Sequence, residues 1–570
     1  MIAADNSAGH SDRSYDDNGQ LASETTCASA GSANGNCSLV TSTAQPVVTL
    51  SYAYWPDSQL KSAASSDAGT VQYSYDTIGR LGSIRDPSGR TFTFGYDSVD
   101  RLVSMSRPNG VDDSFTYTAS SDLAGRDATL NGSTVARFDY GIEQVTGRRT
   151  SLTDVQGAHN FGYFANGSLR SESHPAGSGL PSQTFGFDPA GNRTSWAGVG
   201  QATYDAADRL QSDGINNYIF DAEGNLKSKT TIARGAVTSY DWNSDRQLLA
   251  IHYPDGTSST YRYDPFGRRI ASQDPTQQTR FVYNGLNVHS DYGTQNQLQA
   301  SYVTSLDVGS ALEAVSSTGQ VSYYLDDGLG SVRALSDSSG ATAGSYQYGA
   351  FGQPASTNPA AARYTFTGYQ YDSASGLYYA GVRYYDPSLG RFLSEDPVPS
   401  TNPYPYAIND PVNFVDLLGM QAAGEYAVNT TRNAGTAAAI ERVAQGLCAA
   451  YNKAALAAST ASAALNTGPT TIYRSVDEAG NVNYVGITND VERRAGEQFR
   501  GKGINIEEIP GLNKLSRPTA RAVEQVLLNR YGFLRSGGQL LNAANSVGKA
   551  NPLLGAALEC GQALLAAAGY

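Results

Sequence analysis

The chain has 570 residues, 40% of them apolar and 16% charged, with a formal net charge of −13. That length exceeds one ordinary core, and the apolar share excludes a disordered chain. The acidic average excludes a protein that binds nucleic acid through its overall field.

The charge is uneven. From Thr471 to the end there are 11 Lys+Arg against 9 Asp+Glu, a net of +2, which leaves −15 for the rest. An acidic body joined to a mildly basic tail leaves room for a phosphate site in the tail. The 60 Gly and 37 Tyr point to many tight turns and half-buried strands. Cys27, Cys37, Cys448 and Cys560 show no metal-ligand spacing and read as scattered structural or free thiols. The polar start has no signal-peptide pattern and no apolar run is long enough to span a bilayer. No membrane is therefore expected, and any export falls to secretion machinery or to a segment outside this sequence.

Residues 1–50 carry no assignable pattern. From 51 to 363 one phrase returns: an aromatic, an aspartate, a short turn with Gly or Asp, then often Arg-Leu. It stands as YSYDTIGRL (73–81), FGYDSVDRL (94–102), FGFDPAGNR (185–193), TYDAADRL (203–210), YIFDAEGNL (218–226), YDWNSDRQL (240–248) and YRYDPFGRR (261–269). Spacings of about 16 to 23 residues mark a repeat architecture. Alternation such as Tyr73-x-Tyr75 puts aromatics on one face of a strand, Asp bonds to its own turn, and Gly takes the left-handed position. A pair that recurs so often reads as structure, not catalysis. These repeats resemble the YD repeats of RHS proteins, teneurins and the insecticidal toxin-complex C subunits. The resemblance, over about 50–420, implies a mainly β fold in which the repeats spiral into a hollow shell.

Residues 364–420 contain GLYYAGVRYYDPSLGRFLSEDP and PVNFVDLLGM. They resemble the RHS core-associated segment, which plugs the shell and in that family often cuts the chain just after its end. The resemblance implies an acid pair, Asp396 and Asp416, tuned by Arg391, with the scissile bond after Met420. Two carboxylates sharing one proton can act as acid and base on a peptide bond. Leu417 and Met420 depart from the family's Pro and Leu, and the stretch from Asp396 to Tyr404 lacks its Gly-rich turn.

Residues 421–470 are Ala-rich and predict a helical linker, ended by the Gly-Pro before Thr470. Next, TIYRSV and NVNYVGIT predict a hairpin around a turn at 477–481. A helix is expected to follow, with Asn489 as its N-cap, and TARAVEQVLLNRYG (519–532) predicts a second, amphipathic helix. Residues 471–550 resemble the GIY-YIG nucleases, a small α/β fold, and 551–570 form a tail. On that resemblance Tyr473, Tyr484, Arg494, Glu524 and Asn542 are the catalytic set, with Asn545 as second choice for the asparagine. Glu524 would be the metal ligand for Mg²⁺ or another divalent cation. Thr471 replaces the first motif's glycine. Gln498 stands where many members have His, which puts a His-based proton relay in doubt.

The expected function is a bacterial toxin whose shell holds a metal-dependent endonuclease, acting in a target cell on DNA in preference to RNA. Such a tip implies a cognate immunity protein. The alternative is a YD-repeat surface adhesin with a non-catalytic tail, which would have no use for the Tyr/Tyr/Arg/Glu/Asn order.

Overall fold

The repeated phrase folds as a strand, a five-residue turn and a returning strand. In the computed structural model, strand Gly69–Tyr75 runs into the turn at Asp76 and returns as Leu81–Arg85. Asp76 closes the turn. Its Oδ1 accepts the backbone N–H of Ile78 (3.0 Å) and Arg80 (2.9 Å), and its Oδ2 accepts Arg80 Nε at 2.7 Å. Gly79 sits at φ +88°, where a Cβ would be strained. The same contacts recur at Asp97–Arg101 and Asp264–Arg268.

Two side chains stitch one repeat to the next. Tyr75, Tyr96, Tyr117 and Tyr263 donate their hydroxyls to the backbone oxygens of Leu60, Leu81, Leu102 and Leu248, fifteen residues earlier in each case. Arg80 and Arg101 then lie 4.8 Å over the rings of Tyr96 and Tyr117. Tyr73 is buried, while Tyr75 is half-buried and keeps its hydroxyl for the stitch. The aromatic therefore supplies both packing area and a polar tip.

The structure describes residues 2–5, 10–18, 20–27, 47–355, 362–397 and 400–420, together with 471–476, 482–488 and 507–508; for 2–5 and the last three segments it describes the backbone alone. The chain divides into two compact units, one built mainly on Ser23–Asn433 and the other mainly on Ala434–Tyr570. The regular structure of the first is almost all antiparallel strand. A 16-stranded sheet, a 2-stranded sheet and a 15-stranded sheet follow in strict chain order, and a 4-stranded sheet closes the series. No helix among the described residues is long and apolar enough to cross a membrane.

The array is more regular than its sequence. Between residues 102 and 185 the phrase fades, yet the strands continue without a break. Thr118 there takes the aspartate's place, accepting Asp122 N–H on its hydroxyl. At 240–248 the turn is made by Trp242-Asn243 and not by Tyr240-Asp241. Asn243 Oδ1 accepts the N–H of Asp245 and Gln247, and Trp242 Nε1 reaches Leu226 O as a tyrosine would. Asp241 instead faces His252 at 2.8 Å. Strands also occupy the unassigned first 50 residues, and Cys27 there is disulfide-bonded rather than free.

Buried and half-buried ion pairs tie the first large sheet to the second: Arg90–Glu313 at 2.7 Å, Arg126–Asp326 at 2.9 Å and Arg333–Asp154 at 2.8 Å. The 4-stranded sheet is Gln370–Asp372, Leu377–Tyr379, Tyr384–Asp386 and Arg391–Phe392, and it is apolar on both faces. Tyr378, Tyr385 and Phe392 enter one core cluster, whereas Leu377, Tyr379 and Tyr384 enter another. The doublets Tyr378-Tyr379 and Tyr384-Tyr385 are therefore the sequence of a sheet wedged between two cores. Their hydroxyls are satisfied; Tyr378 reaches Gly352 O at 2.8 Å and Tyr385 reaches Phe351 O at 2.6 Å.

Glu313 is fully buried beside Arg90 and Asp86. Burial and the neighbouring Asp86 outweigh Arg90 and push its carboxyl up to about 7 from an ordinary value of 4.5. The folded chain thus keeps a proton that the unfolded chain sheds, so stability falls as pH rises through that window. Glu313→Gln should therefore stabilise the shell by up to about 3 kcal/mol near pH 8 and little near pH 5. Urea midpoints at the two pH values check this; an equal effect at both contradicts it.

Candidate functional site

The last described turn of the first unit repeats the geometry of the others. Asp416 Oδ1 accepts the N–H of Met420, four residues on, at 2.9 Å, as Asp76 accepts that of Arg80. Gly419 has φ +65°, in the place of Gly79. A Cβ on Gly419 would lie 2.7 Å from Ala380 O, so the segment is pressed against the Ala380–Arg383 corner. Val382 N–H donates to Leu418 O at 3.1 Å.

One feature differs. In the repeats the fifth residue of the turn is often an arginine that pairs with the aspartate's second oxygen, but here it is Met420. Arg383 supplies the missing cation from the 4-stranded sheet. Its Nη2 lies 3.1 Å from Asp416 Oδ2 and 2.8 Å from Asp396 Oδ2. Its Nε donates to Gly419 O at 2.5 Å and its Nη1 to Pro403 O at 2.8 Å. The guanidinium rests 3.6 Å over the Phe392 ring. Tyr369 donates its hydroxyl to the backbone oxygen of Asp416. Arg383, Asp396, Asp416 and Tyr369 are all buried. Two carboxylates thus meet at one guanidinium nitrogen, beside the turn that ends at Met420.

Arg391 is not part of this group. Its Nη1 reaches Asn192 Oδ1 at 2.9 Å and its Nη2 reaches Asp208 O at 2.5 Å, between the rings of Tyr204 and Tyr404. Burial pulls it below the usual guanidinium range. The expectation that Arg391 tunes the acid pair is corrected: in the ladder Arg391 opposes Asp386, on the last strand of the sheet, whereas the corner before Tyr384 carries Arg383 to the two aspartates. A signal was present. Arg383 is the only charged residue between Asp372 and Asp386, and a cation in so apolar a run needs a buried counter-charge.

In the second unit the described backbone is a 3-stranded sheet with Thr471–Val476 in the centre, between Val482–Thr488 and Glu507–Glu508. The hairpin register pairs Tyr473 with Gly486 and Ser475 with Tyr484. Positions 473 and 484 are therefore diagonal neighbours on one face of the ladder. Glu508 pairs with Tyr473 on the other side. Arg494, Gln498, Glu524, Asn542 and Asn545 lie outside the described residues, as do the linker 421–470, both expected helices and the tail 551–570. Among the described residues no group of three or more His, Cys, Asp or Glu could hold a metal ion.

The shell is similar to known proteins. A family model described as the teneurin YD-shell matches residues 137–414, and one described as the RHS repeat matches 75–112. The chain is 33% identical over 270 residues to a tRNA3(Ser)-specific nuclease WapA of Bacillus spizizenii, covering 44% of this chain and 11% of that protein. It is 29% identical over 331 residues to a double-stranded DNA deaminase toxin A of Burkholderia cenocepacia, covering 51% and 22%. It is 28% identical over 282 residues to a probable deoxyribonuclease RhsB of Dickeya dadantii, covering 43% and 17%. Its fold matches the crystal structure of TcdB2-TccC3-Cdc42 with a TM-score of 0.61 at 18% identity, over 74% of this chain and 24% of that one. The chain thus spans between about a tenth and a quarter of the length of these proteins. Residues 75–112 and 137–414 are thus similar to RHS repeats and to the teneurin YD-shell, and these bacterial relatives are nucleases or toxins.

Arg383→Gln leaves two buried carboxylates without their common cation. A loss of about 3–5 kcal/mol is expected. Arg391→Gln, between an amide and a carbonyl, leaves no carboxylate uncovered and should lose less. Thermal midpoints of both variants compare the two, and a loss in Arg383→Gln no larger than in Arg391→Gln contradicts the assignment.

Proposed function

We propose that the chain is part of a delivered bacterial toxin in which the YD-repeat shell and its plug carry a C-terminal GIY-YIG-type nuclease that hydrolyses phosphodiester bonds of target-cell nucleic acid. The observation that carries this reading is the hairpin register, which sets positions 473 and 484 on one face of a small antiparallel sheet. The order Tyr473, Tyr484, Arg494, Glu524, Asn542 supports it, and so does the run of nucleases and toxins among the relatives of the shell.

The roles divide by chemistry. Arg494 grips a phosphate oxygen with its two-pronged guanidinium. Tyr473 or Tyr484 orients or deprotonates the attacking water, and Asn542 steadies the site by hydrogen bonding. Glu524 is the residue that would hold a divalent cation such as Mg²⁺, which when bound supplies Lewis-acid stabilisation of the phosphate. Duplex DNA is the preferred substrate, with tRNA as the competing one. The producing cell needs an immunity protein against such a tip, and delivery needs secretion machinery.

We also propose that the chain cuts itself after Met420. Water adds to the Met420 carbonyl carbon, the bond to the Gln421 nitrogen breaks, and that nitrogen leaves as an amine. Of Asp396 and Asp416, one accepts the proton of the water and the other donates one to the leaving nitrogen. Arg383 holds both in register.

Purified full-length protein should nick supercoiled plasmid, lose that activity in EDTA, and lose it by at least about a hundredfold in Glu524→Ala. Tyr484→Phe should fold normally and be strongly impaired. Digestion of plasmid and of tRNA in parallel assigns the substrate. Cleavage that persists in EDTA, or a Tyr484→Phe variant as active as the parent, rejects this mechanism.

A further inference from the structure

A cluster of ionisable groups far along the chain from the acid pair sits where the first large sheet meets the segment after the second. Strand Gly157–Tyr163 carries His159, and His174 follows strand Leu169–Ser173. Their Nδ1 atoms lie 2.7 Å apart, with the rings inclined by 67°. On its far side each ring faces a buried carboxylate: His159 Nε2 is 3.3 Å from Asp154 Oδ2, and His174 Nε2 is 3.2 Å from Glu172 Oε2. Both are charge contacts, off the direction of an aligned hydrogen bond. All four side chains are at most 3% exposed.

The carboxylates have further duties. Arg333 Nη2 lies 2.8 Å from Asp154 Oδ2 and its Nη1 3.2 Å from Asp327. Gln347 and Gln156 also donate to Asp154. Burial works against charge on Asp154, but His159 and Arg333 outweigh it and hold the carboxyl at about 2. Glu172 accepts Gln183 Nε2 at 2.5 Å and the backbone N–H of Ala350 at 2.7 Å. Arg149, Tyr140 and Tyr348 line the adjoining cavity with both histidines.

The two rings admit three proton counts. A neutral pair has a single Nδ1–H between the rings, and the ring that donates it turns a bare Nε2 lone pair towards a carboxylate. A doubly protonated pair points two N–H groups at each other across 2.7 Å, which their hydrogens cannot share. One extra proton, held between the Nδ1 atoms with an N–H on each Nε2, avoids that clash and sets a polar hydrogen beside each carboxylate. One imidazolium then joins Arg333 against Asp154, Glu172 and Asp327.

We propose that Asp154, His159, His174 and Glu172 form a proton-counting clasp that is closed while the histidine pair holds one shared proton and opens when it binds a second. The joint it holds runs through Glu172 to Ala350 and through Asp154 to Arg333, so acid loosens the seam between the first sheet and the segment after the second. A second proton sets two Nδ1–H groups against each other across 2.7 Å, and that repulsion is what acid adds at this seam.

The chain has only five histidines, so ¹⁵N-histidine labelling of the full protein gives a countable spectrum. Near pH 7.5 two coupled rings sharing one Nδ1 proton are expected; towards pH 5 that signal should vanish. In parallel, protection of the Ala350 amide, corrected for intrinsic exchange, should fall by at least about tenfold. In His159→Gln, His174 should titrate as a single independent ring, and Ala350 protection should no longer depend on pH. Two rings that titrate independently in the parent, or Ala350 protection that is constant across the range, overturn the proposal. The parent alone decides both readouts, should the variant fail to fold.

Discussion

An aspartate that caps its own turn leaves one carboxylate oxygen in need of a partner, and the first unit is organised around supplying it. Oδ1 takes backbone N–H groups two and four residues on; Oδ2 has no local donor except the side chain at the fifth position. Arg80, Arg101, Arg209 and Arg268 fill that role, and Asn192 and Asn225 do so with an amide. A partly buried oxygen without a donor would cost more than the turn returns. The repeat phrase is thus a statement of one hydrogen-bond requirement, met locally at these six turns.

At Met420 the local answer is missing, and the donor comes from elsewhere in the fold. Arg383 can reach Asp416 because its sheet is buried on both faces and cannot shift: Tyr378 and Tyr385 lock one side, Tyr379 and Tyr384 the other. The same guanidinium then gathers Asp396, so a gap in the repeat rule becomes a pair of carboxylates beside a turn pressed into a corner. The arrangement links the repeats to a turn that departs from their local pairing.

Much of this was legible in the residues. The strand–turn–strand unit follows from Asp, Gly and Arg at fixed spacing, because the contacts are local. The exceptions arise where other side chains do the same chemistry. Thr118 caps a turn without a carboxylate, and Trp242-Asn243 replaces Tyr-Asp while Tyr240-Asp241 stands two residues earlier in the familiar form. Arg391, expected on the family resemblance, stands away from the acid pair for a different reason. The partner is set by long-range pairing of short strands, which no local pattern encodes. The histidine clasp was silent for the same reason, since its contacts join three strand regions to the segment after Ser345. In the second unit, alternation within TIYRSV and NVNYVGIT foretold a hairpin, and its register puts positions 473 and 484 on one face. Arg494, Glu524 and Asn542 belong to residues that the structure does not describe.

Under the proposed self-cleavage after Met420, the Asp396–Asp416 pair acts because Arg383 pairs with Asp416 where the repeats use the fifth residue of the turn. Intact-mass measurement of the purified full-length chain tests it most directly, on the parent and on Met420→Arg, which restores a guanidinium at the fifth position of the turn. The account predicts a C-terminal piece beginning at Gln421 in the parent and much less of it in the variant, where Asp416 is taken up as Asp76 is by Arg80. A parent that shows only the full-length mass, or a variant processed as fast as the parent, would contradict it.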